Sequence, residues 1–229
     1  MNYVVPHWIQ PAIPVTNTDA VFPVRRIYCI GRNYAEHARE MGGDPNREPP
    51  FFFMKPSDAI AQNGSTIPYP AGTANLHHEI ELVVAIGKKG ANIDRDSALQ
   101  HVFGYAVGLD MTRRDLQQAA REKGRPWDIG KAFDDSAPIT PIHPVSEVGH
   151  VDRGSIWLRV NGEARQKGDL ADMVWPVPDV IAFLSRFYTL RPGDLIFTGT
   201  PSGVGPVVAG DHLVGGIDRL AELSIRIAK

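Results

Sequence analysis

The sequence predicts an α+β, β-rich fold, a mixed β-roll or barrel-like core carrying short helices at its mouth. Short apolar and alternating runs outnumber segments with helical spacing. The 22 glycines and 19 prolines are spread along the chain, which favours many short elements joined by turns. Strands and helices do not alternate regularly, which argues against a doubly wound parallel sheet.

Residues 1–25 read as an extended N-terminal lead-in, broken by Pro6, Pro11, Pro14 and Pro23. VRRIYCIG is a strand ending at Gly31. NYAEHAREMG follows as a short helix, with Asn33 and Glu36 forming a capping box and Gly42-Gly43 a stop. That helix, flanked by glycines and the Pro-rich loop DPNREPP, has the composition of a lid. FFFMKP is a strand ended by Pro56, and SDAIAQNGSTIPYP is rich in turns. LHHEIELVVAIG reads as one alternating strand, DRDSALQHVFG as a helix capped by Asp94, YAVGLDMT as a strand and RRDLQQAAREKG as a helix. WDIGKAFDDSAPI is irregular. SIWLRVNGEARQKGD predicts a hairpin, because Asn161-Gly162 suits the positive φ angles of a type I′ turn. VPDVIAFLSRFY has helical apolar spacing, LIFTGTP is strand then loop, SGVGPVVAGD is more turn, and LAELSIRIAK closes as a strand. No repeat or linker divides the chain, so residues 26–229 read as a single domain.

Composition narrows the function. With 229 residues, 43% of them hydrophobic and 22% charged, the chain reads as an ordinary soluble globular protein with a sizeable core. The net charge is −2 with acids and bases interspersed, so no nucleic-acid or anionic-membrane partner is expected. No run approaches the ~20 apolar residues of a membrane span, and the N-terminus lacks the pattern of a signal peptide. The single cysteine, Cys29, lies in the apolar run RRIYCIG. It excludes an internal disulfide, fits a reducing cytoplasm, and reads as a small buried hydrophobe rather than a nucleophile.

Three carboxylates carry the chemical signal. Alternation puts His77, Glu79 and Glu81 on one strand face and Ile80, Leu82, Val84 and Ile86 on the other. Asp110 ends the apolar run VFGYAVGLD. Buried charges need partners, and a divalent cation would satisfy all three. An all-oxygen donor set suits Mg2+ or Mn2+ better than Zn2+. The competing reading is a solvated strand face paired with Lys or Arg.

Other candidates are weaker by spacing alone. His37 and Glu40 are three apart on the short helix and suit a general base with its orienting carboxylate, or an exposed helical ion pair. Lys131 could face a developing oxyanion, or solvent. Arg114 and Gln117 project together near the carboxylates, although helix phase leaves Arg113 as an alternative. Thr198, Thr200 and the glycines of TGTPSGVG offer hydroxyls and close backbone approach. P-loop, GxGxxG, GxSxG and CxxC patterns are absent, which favours metal-assisted chemistry with activated water.

GRNYAEHARE, FFFMKPSDAI, HHEIELVVAIG, GYAVGLDMTRRDLQ, WDIGKAFDDSAPI, VNGEARQ and GDLIFTGTPSGVGP stand in one order from residue 26 onward. In that order the chain resembles the fumarylacetoacetate hydrolase family, in its compact acylpyruvate hydrolase-like subgroup. The run GGDPNREPPFFFMKPSDAI is most similar to the bacterial fumarylpyruvate hydrolases of gentisate degradation. The resemblance implies metal ligation by Glu79, Glu81 and Asp110, and water activation by His37 with Glu40. It implies a catalytic Lys131, substrate contacts from Arg114 and Gln117, and the loop threonine Thr200; Gln117 and Thr200 could hold the developing oxyanion. Lys55 lies in a motif near the site, and Arg25, Arg32, Tyr34 and Arg125 are candidates for the distal substrate pocket. It further implies Mg2+, or Mn2+, a homodimer, and hydrolytic C–C cleavage of a 2,4-diketo acid through a stabilised pyruvate enolate. The alternatives are acylpyruvate hydrolysis, oxaloacetate decarboxylation or oxo-diacid isomerisation at the same site, or a metal-dependent binding protein without turnover.

Overall fold

The computed structural model describes residues 2–40 and 49–229, without the side chains of Ala38 and Glu40. The Gly42-Gly43 stop and most of the Pro-rich loop therefore lie outside the described residues. An N-terminal hairpin pairs β1 (Ala12–Pro14) with β2 (Val21–Pro23). Strand β3 (Arg26–Gly31) leads into α1 (Ala35–Glu40), and β4 (Phe51–Lys55) returns antiparallel to β3. Three short strands follow, β5 (Ile60–Gln62), β6 (Thr66–Ile67) and β7 (Leu76–His78). The long central pair is β8 (Ile80–Ile86) and β9 (Val102–Leu109). Next come β10 (Thr112–Arg113), α2 (Arg114–Glu122), α3 (Asp128–Lys131), β11 (Ala137–Ile139), β12 (His143–Pro144) and α4 (Val145–Val148). Hairpin β13 (Ser155–Val160) and β14 (Glu163–Asp169) precedes α5 (Val177–Ser185). Strands β15 (Asp194–Phe197), β16 (Gly205–Val207), β17 (His212–Ile217) and β18 (Leu223–Ile227) complete the chain.

The principal sheet runs β4-β3-β15-β8-β9-β11-β5, with β12 beside β9. A second sheet runs β14-β13-β17-β18-β6, and β10-β7-β16 form a small third one. Most pairs are antiparallel, while β3 with β15, β5 with β11, and β6 with β18 are parallel. The expected β-rich α+β architecture with short helices is therefore observed.

Packing explains why β8 is apolar almost throughout: both faces of the principal sheet are covered. On one face Ile80, Leu82, Val84 and Ile86 join a core with Ile156, Leu158 and Leu213 of the second sheet and Val180, Ile181 and Leu184 of α5. On the other, Val83, Ala85, Ala106, Cys29 and Phe197 meet Ile13, Val15, Phe22 and Val24. The lead-in segment thus folds over the sheet as a hairpin flap. Cys29 is fully buried, and burial pushes its thiol well above the usual range.

Four local expectations are corrected. LHHEIELVVAIG is not one strand: β7 and β8 are separated at Glu79, where the chain passes from the small sheet into the principal one. His77 consequently belongs to a different sheet from Glu81. The segment Arg95–His101 is a 3₁₀ helix between extended residues, and the Asp94 side chain makes no cap bond. Asn33 does not cap α1. Its amide donates to the carbonyls of Trp175 (2.9 Å) and Thr198 (2.7 Å), and its Oδ1 accepts from Trp175 N. The irregular segment contains the short helix α3. The Asn161-Gly162 turn has φ of 53° and 85°, as the hairpin requires.

Phe22 is 7% exposed and stacks on Phe103 at 5.5 Å. Phe22→Ala is expected to destabilise the fold by about 3 kcal/mol in urea unfolding, the size of a core Phe truncation. A loss below about 0.5 kcal/mol would mean that the flap does not share the core.

Candidate active site

The carboxylates meet where three strand ends converge. Glu79 occupies the joint between β7 and β8, Glu81 is the second residue of β8, and Asp110 follows β9. Strand register sets Glu81 opposite Gly108, and Asp110 N donates to Glu79 O at 2.9 Å. All three side chains are buried, and one oxygen from each lies within 4.8 Å of the others.

Cations from other elements answer this charge. Lys131, at the end of α3, donates from Nζ to Glu79 Oε2 (2.9 Å), Asp110 Oδ2 (2.7 Å) and Thr112 Oγ1 (2.6 Å). Burial alone would push its ammonium down, but Asp110 and Glu79 outweigh that and hold it above its ordinary value, so Lys131 is a cation and not a base. Arg114, at the start of α2, pairs with Glu79 and donates to Gln117 Oε1. Burial opposes the charged form of Glu79, yet Lys131 and Arg114 overcome it and hold the carboxyl below the usual range. Arg113 turns away, its guanidinium 4.4 Å from the Phe133 ring centre, which settles the helix phase in favour of Arg114.

Glu81 has a different environment. It accepts a hydrogen bond from Gly199 N at 2.7 Å, and among the described residues no lysine or arginine pairs with it. Burial, then Asp110 and Glu79, push its carboxyl well above the usual range. Gly199 has φ of 96°, and a Cβ there would stand 2.7 Å from Asn33 Cβ, so the loop that reaches Glu81 requires glycine. The arrangement fits a hard divalent cation. Oxygens up to ~4.8 Å apart can share an ion at ~2.0–2.6 Å, and Glu81 marks a local excess of negative charge that such an ion would answer.

One pocket gathers most of the predicted site residues. It is lined by His37, Glu79, Glu81, Asp110, Arg114, Gln117, Lys131 and Thr200, with Arg32 among those further out. Two expected substrate contacts are elsewhere. Lys55 does not line the pocket but lies beneath it, with Nζ 2.8 Å from Asp110 Oδ1 and donating to Met111 O (3.1 Å) and Lys131 O. A lysine at the end of the continuous apolar strand FFFMK gives no signal of which layer its tip will reach. Tyr34 is 3% exposed, packs in the core and borders a neighbouring surface pocket. Burial and then the nearby Glu81 charge push its phenol up. Glu40's side chain lies outside the described residues. Arg25, another specificity candidate, pairs with Asp194 at 2.9 Å.

Gln166 has a supporting role that its sequence context did not reveal. Buried on β14, it accepts from Ile80 N (3.1 Å) and donates to Thr200 Oγ1 (2.8 Å) and Pro201 O (2.9 Å). It also bonds His78 Nδ1 at 2.8 Å. One amide thus ties the second sheet to the β7–β8 joint and to the Thr200 loop. The only hint was a glutamine at an inward position of a hairpin strand. His77 accepts from Arg114 Nε at 3.4 Å, and burial followed by the Arg114 charge lowers its imidazole to about 4. Thr112 and the aromatic pocket residues Phe51 and Trp127 were likewise not anticipated.

With this geometry the chain can be compared with known proteins. Residues 26–228 match the family described as fumarylacetoacetate (FAA) hydrolase C-terminal. A Ralstonia fumarylpyruvate hydrolase is 47% identical over 184 residues, 80% of this chain and 95% of that protein. The mitochondrial oxaloacetate tautomerase of Homo sapiens is 43% identical over 205 residues, 90% of this chain and 92% of the relative. The crystal structure of Pseudomonas aeruginosa fumarylpyruvate hydrolase in complex with Mn2+ and pyruvate superposes with a TM-score of 0.97. It is 55% identical and covers 99% of both chains. The motif order, the strand-end carboxylates and the match from Arg26 to the last strand lead to one conclusion: the chain belongs to the fumarylacetoacetate hydrolase family.

Proposed function

We propose that this protein is a metal-dependent hydrolase that cleaves the C–C bond of a 2,4-diketo acid, taking fumarylpyruvate to fumarate and pyruvate. The observation that carries this is a buried triad of carboxylates sharing one pocket with His37 and a cationic Lys131. The fumarylpyruvate hydrolase relatives at 47% and 55% identity support the substrate. Glu79, Glu81 and Asp110 would hold Mg2+ or Mn2+, which when bound supplies Lewis-acid polarisation of the substrate's oxygens.

The chain's own residues divide the remaining work. His37, buried and facing the pocket, takes a proton from water at a ring nitrogen, with Glu40 as the orienting carboxylate that the family resemblance assigns. The attacked carbonyl is the one distal to the pyruvyl group, and collapse breaks the C–C bond. Two donors suit the developing oxyanion. Thr200 Oγ1 accepts from Gln166, so its own hydroxyl hydrogen is available to the pocket. Gln117 Oε1 accepts from Arg114, which orients the amide and leaves its NH2 to donate. Lys131 contributes positive charge beside the leaving enolate, and Arg114 orients a substrate carboxylate. Burial of these groups excludes bulk water and strengthens each interaction.

The finer expectations belong to the same reading. They are a catalytic domain spanning residues 26–229, a homodimer, a preference for Mg2+, and a cytoplasmic place in gentisate-type aromatic degradation. Among the described residues no helix is long and apolar enough to cross a membrane. A second reading, enolisation or decarboxylation of oxaloacetate, is favoured by the relatives named oxaloacetate tautomerase and oxaloacetate decarboxylase at 43% identity. Both would use the same carboxylates and Lys131.

Loss of enol absorbance of fumarylpyruvate, acetylpyruvate and oxaloacetate, with Mg2+ and then with EDTA, separates these readings. Fast, EDTA-sensitive conversion of fumarylpyruvate to fumarate and pyruvate is expected. A preference for oxaloacetate would transfer the site to the second reading.

His37→Ala is expected to lower hydrolysis by roughly 10²–10⁴-fold while retaining Mn2+ affinity in calorimetry. Glu79→Ala is expected to lose both. Equal loss of Mn2+ binding in the two variants would contradict the division of roles. Thr200→Val removes one oxyanion donor, and kcat should fall by roughly 10²-fold with KM little changed. An effect confined to KM would assign Thr200 to ground-state binding.

A further inference from the structure

The outer half of the pocket has a chemistry of its own. Helix α2 presents Arg114, Gln117 and Arg121 at i, i+3 and i+7, and all three line the pocket. Arg114 and Gln117 are tied to the carboxylate end through Glu79. Arg121 stands two helical turns further on, roughly 10 Å along the axis. Between these positions runs an aromatic wall. Trp127 meets Phe51 edge-on at 5.3 Å and 90°, and Phe53 at 5.7 Å. The Arg32 guanidinium lies 5.6 Å from the Phe51 ring centre. Its backbone is held at φ 55°, a conformation that non-glycine residues keep only where surroundings enforce it. A Cβ on Gly31 would stand 2.1 Å from Phe51 Cζ, so the wall's position depends on glycine there.

We propose that Arg121, together with Arg32, binds the terminal carboxylate of a dicarboxylic 2,4-diketo acid and so selects a flat, conjugated acyl arm that ends in an anion. The inference rests on the hydrolase reading above and deepens it. The six C–C bonds between the two carboxyl carbons of fumarylpyruvate span roughly 7–8 Å when extended. With the pyruvyl end at the carboxylate triad, the far carboxylate falls within reach of the Arg121 fork. A guanidinium matches a carboxylate in bidentate geometry, which a shorter, uncharged acyl group cannot exploit. A conjugated enone is flat and stacks on the Phe and Trp faces, whereas a saturated arm loses that contact.

Two probes of equal chain length test this without turnover. 2-Oxoheptanedioate and 2-oxoheptanoate differ only in the terminal carboxylate. The Mn2+-loaded enzyme is expected to bind the diacid roughly 10- to 100-fold more tightly in calorimetry. Arg121→Gln should erase that preference and lower the fumarylpyruvate-to-acetylpyruvate ratio of kcat/KM by a similar factor. Arg32→Asn, which tolerates the left-handed backbone, should erase part of it, with melting curves confirming that both variants fold. No preference in the unaltered enzyme, or an equal loss on both probes in Arg121→Gln, would overturn the inference. Acetylpyruvate cleavage without any diacid preference would leave the hydrolase reading standing and remove this subsite. Diacid preference without cleavage of any diketo acid would do the reverse.

Discussion

Three carboxylates buried within 4.8 Å of one another repel, and each loses hydration. The fold answers with three cations, Lys131, Lys55 and Arg114, none from the elements that carry the acids. Lys55 comes from the end of β4, Arg114 from the start of α2 and Lys131 from the end of α3. Six side chains from five places in the chain must therefore arrive together. Much of the local architecture is explained by that demand: strand ends that stop at the same level, a short helix whose last residue is a lysine, and a glycine loop that donates to Glu81.

The charge lies at one end of a sheet that is otherwise apolar on both faces. On the Glu81 face the neighbours are small, Val83, Ala85, Ala106 and Gly108, so the covering layer packs closely onto β8, β9 and β15. A Cβ on Gly108 would meet Phe197 at 2.6 Å. The flap carrying Ile13 and Phe22 closes this face, which links a segment far from the pocket to the rigidity of the strand that bears Glu81.

How much of this was legible depended on how local each signal is. Glu79, Glu81 and Asp110 stood out because acids inside apolar runs violate the pattern around them. The hairpin at Asn161-Gly162 was legible because the turn's φ angles select those residues. Asn33 misled, since an asparagine before a helix usually caps it, whereas its amide is engaged with residues 142 and 165 positions away. Gln166 gave no local signal, because an isolated polar residue on a strand is compatible with either face until the tertiary partners are known, and the depth that Lys55 reaches was hidden likewise. Tyr34 borders a neighbouring pocket, and adjacency in sequence to a strand-end loop does not fix which pocket a ring will line. The break at Glu79 was invisible to periodicity, because a strand that changes sheets keeps its alternation.

That break has a mechanical meaning. Glu79 stands where the chain leaves the small three-stranded sheet, and Glu81 is already inside the principal sheet. A cation gripped by both would act as a rivet across the seam between two sheets. Backbone amides along β7 and β16 would then open more slowly when the rivet is in place, because an ion that binds only the closed seam stabilises it by mass action.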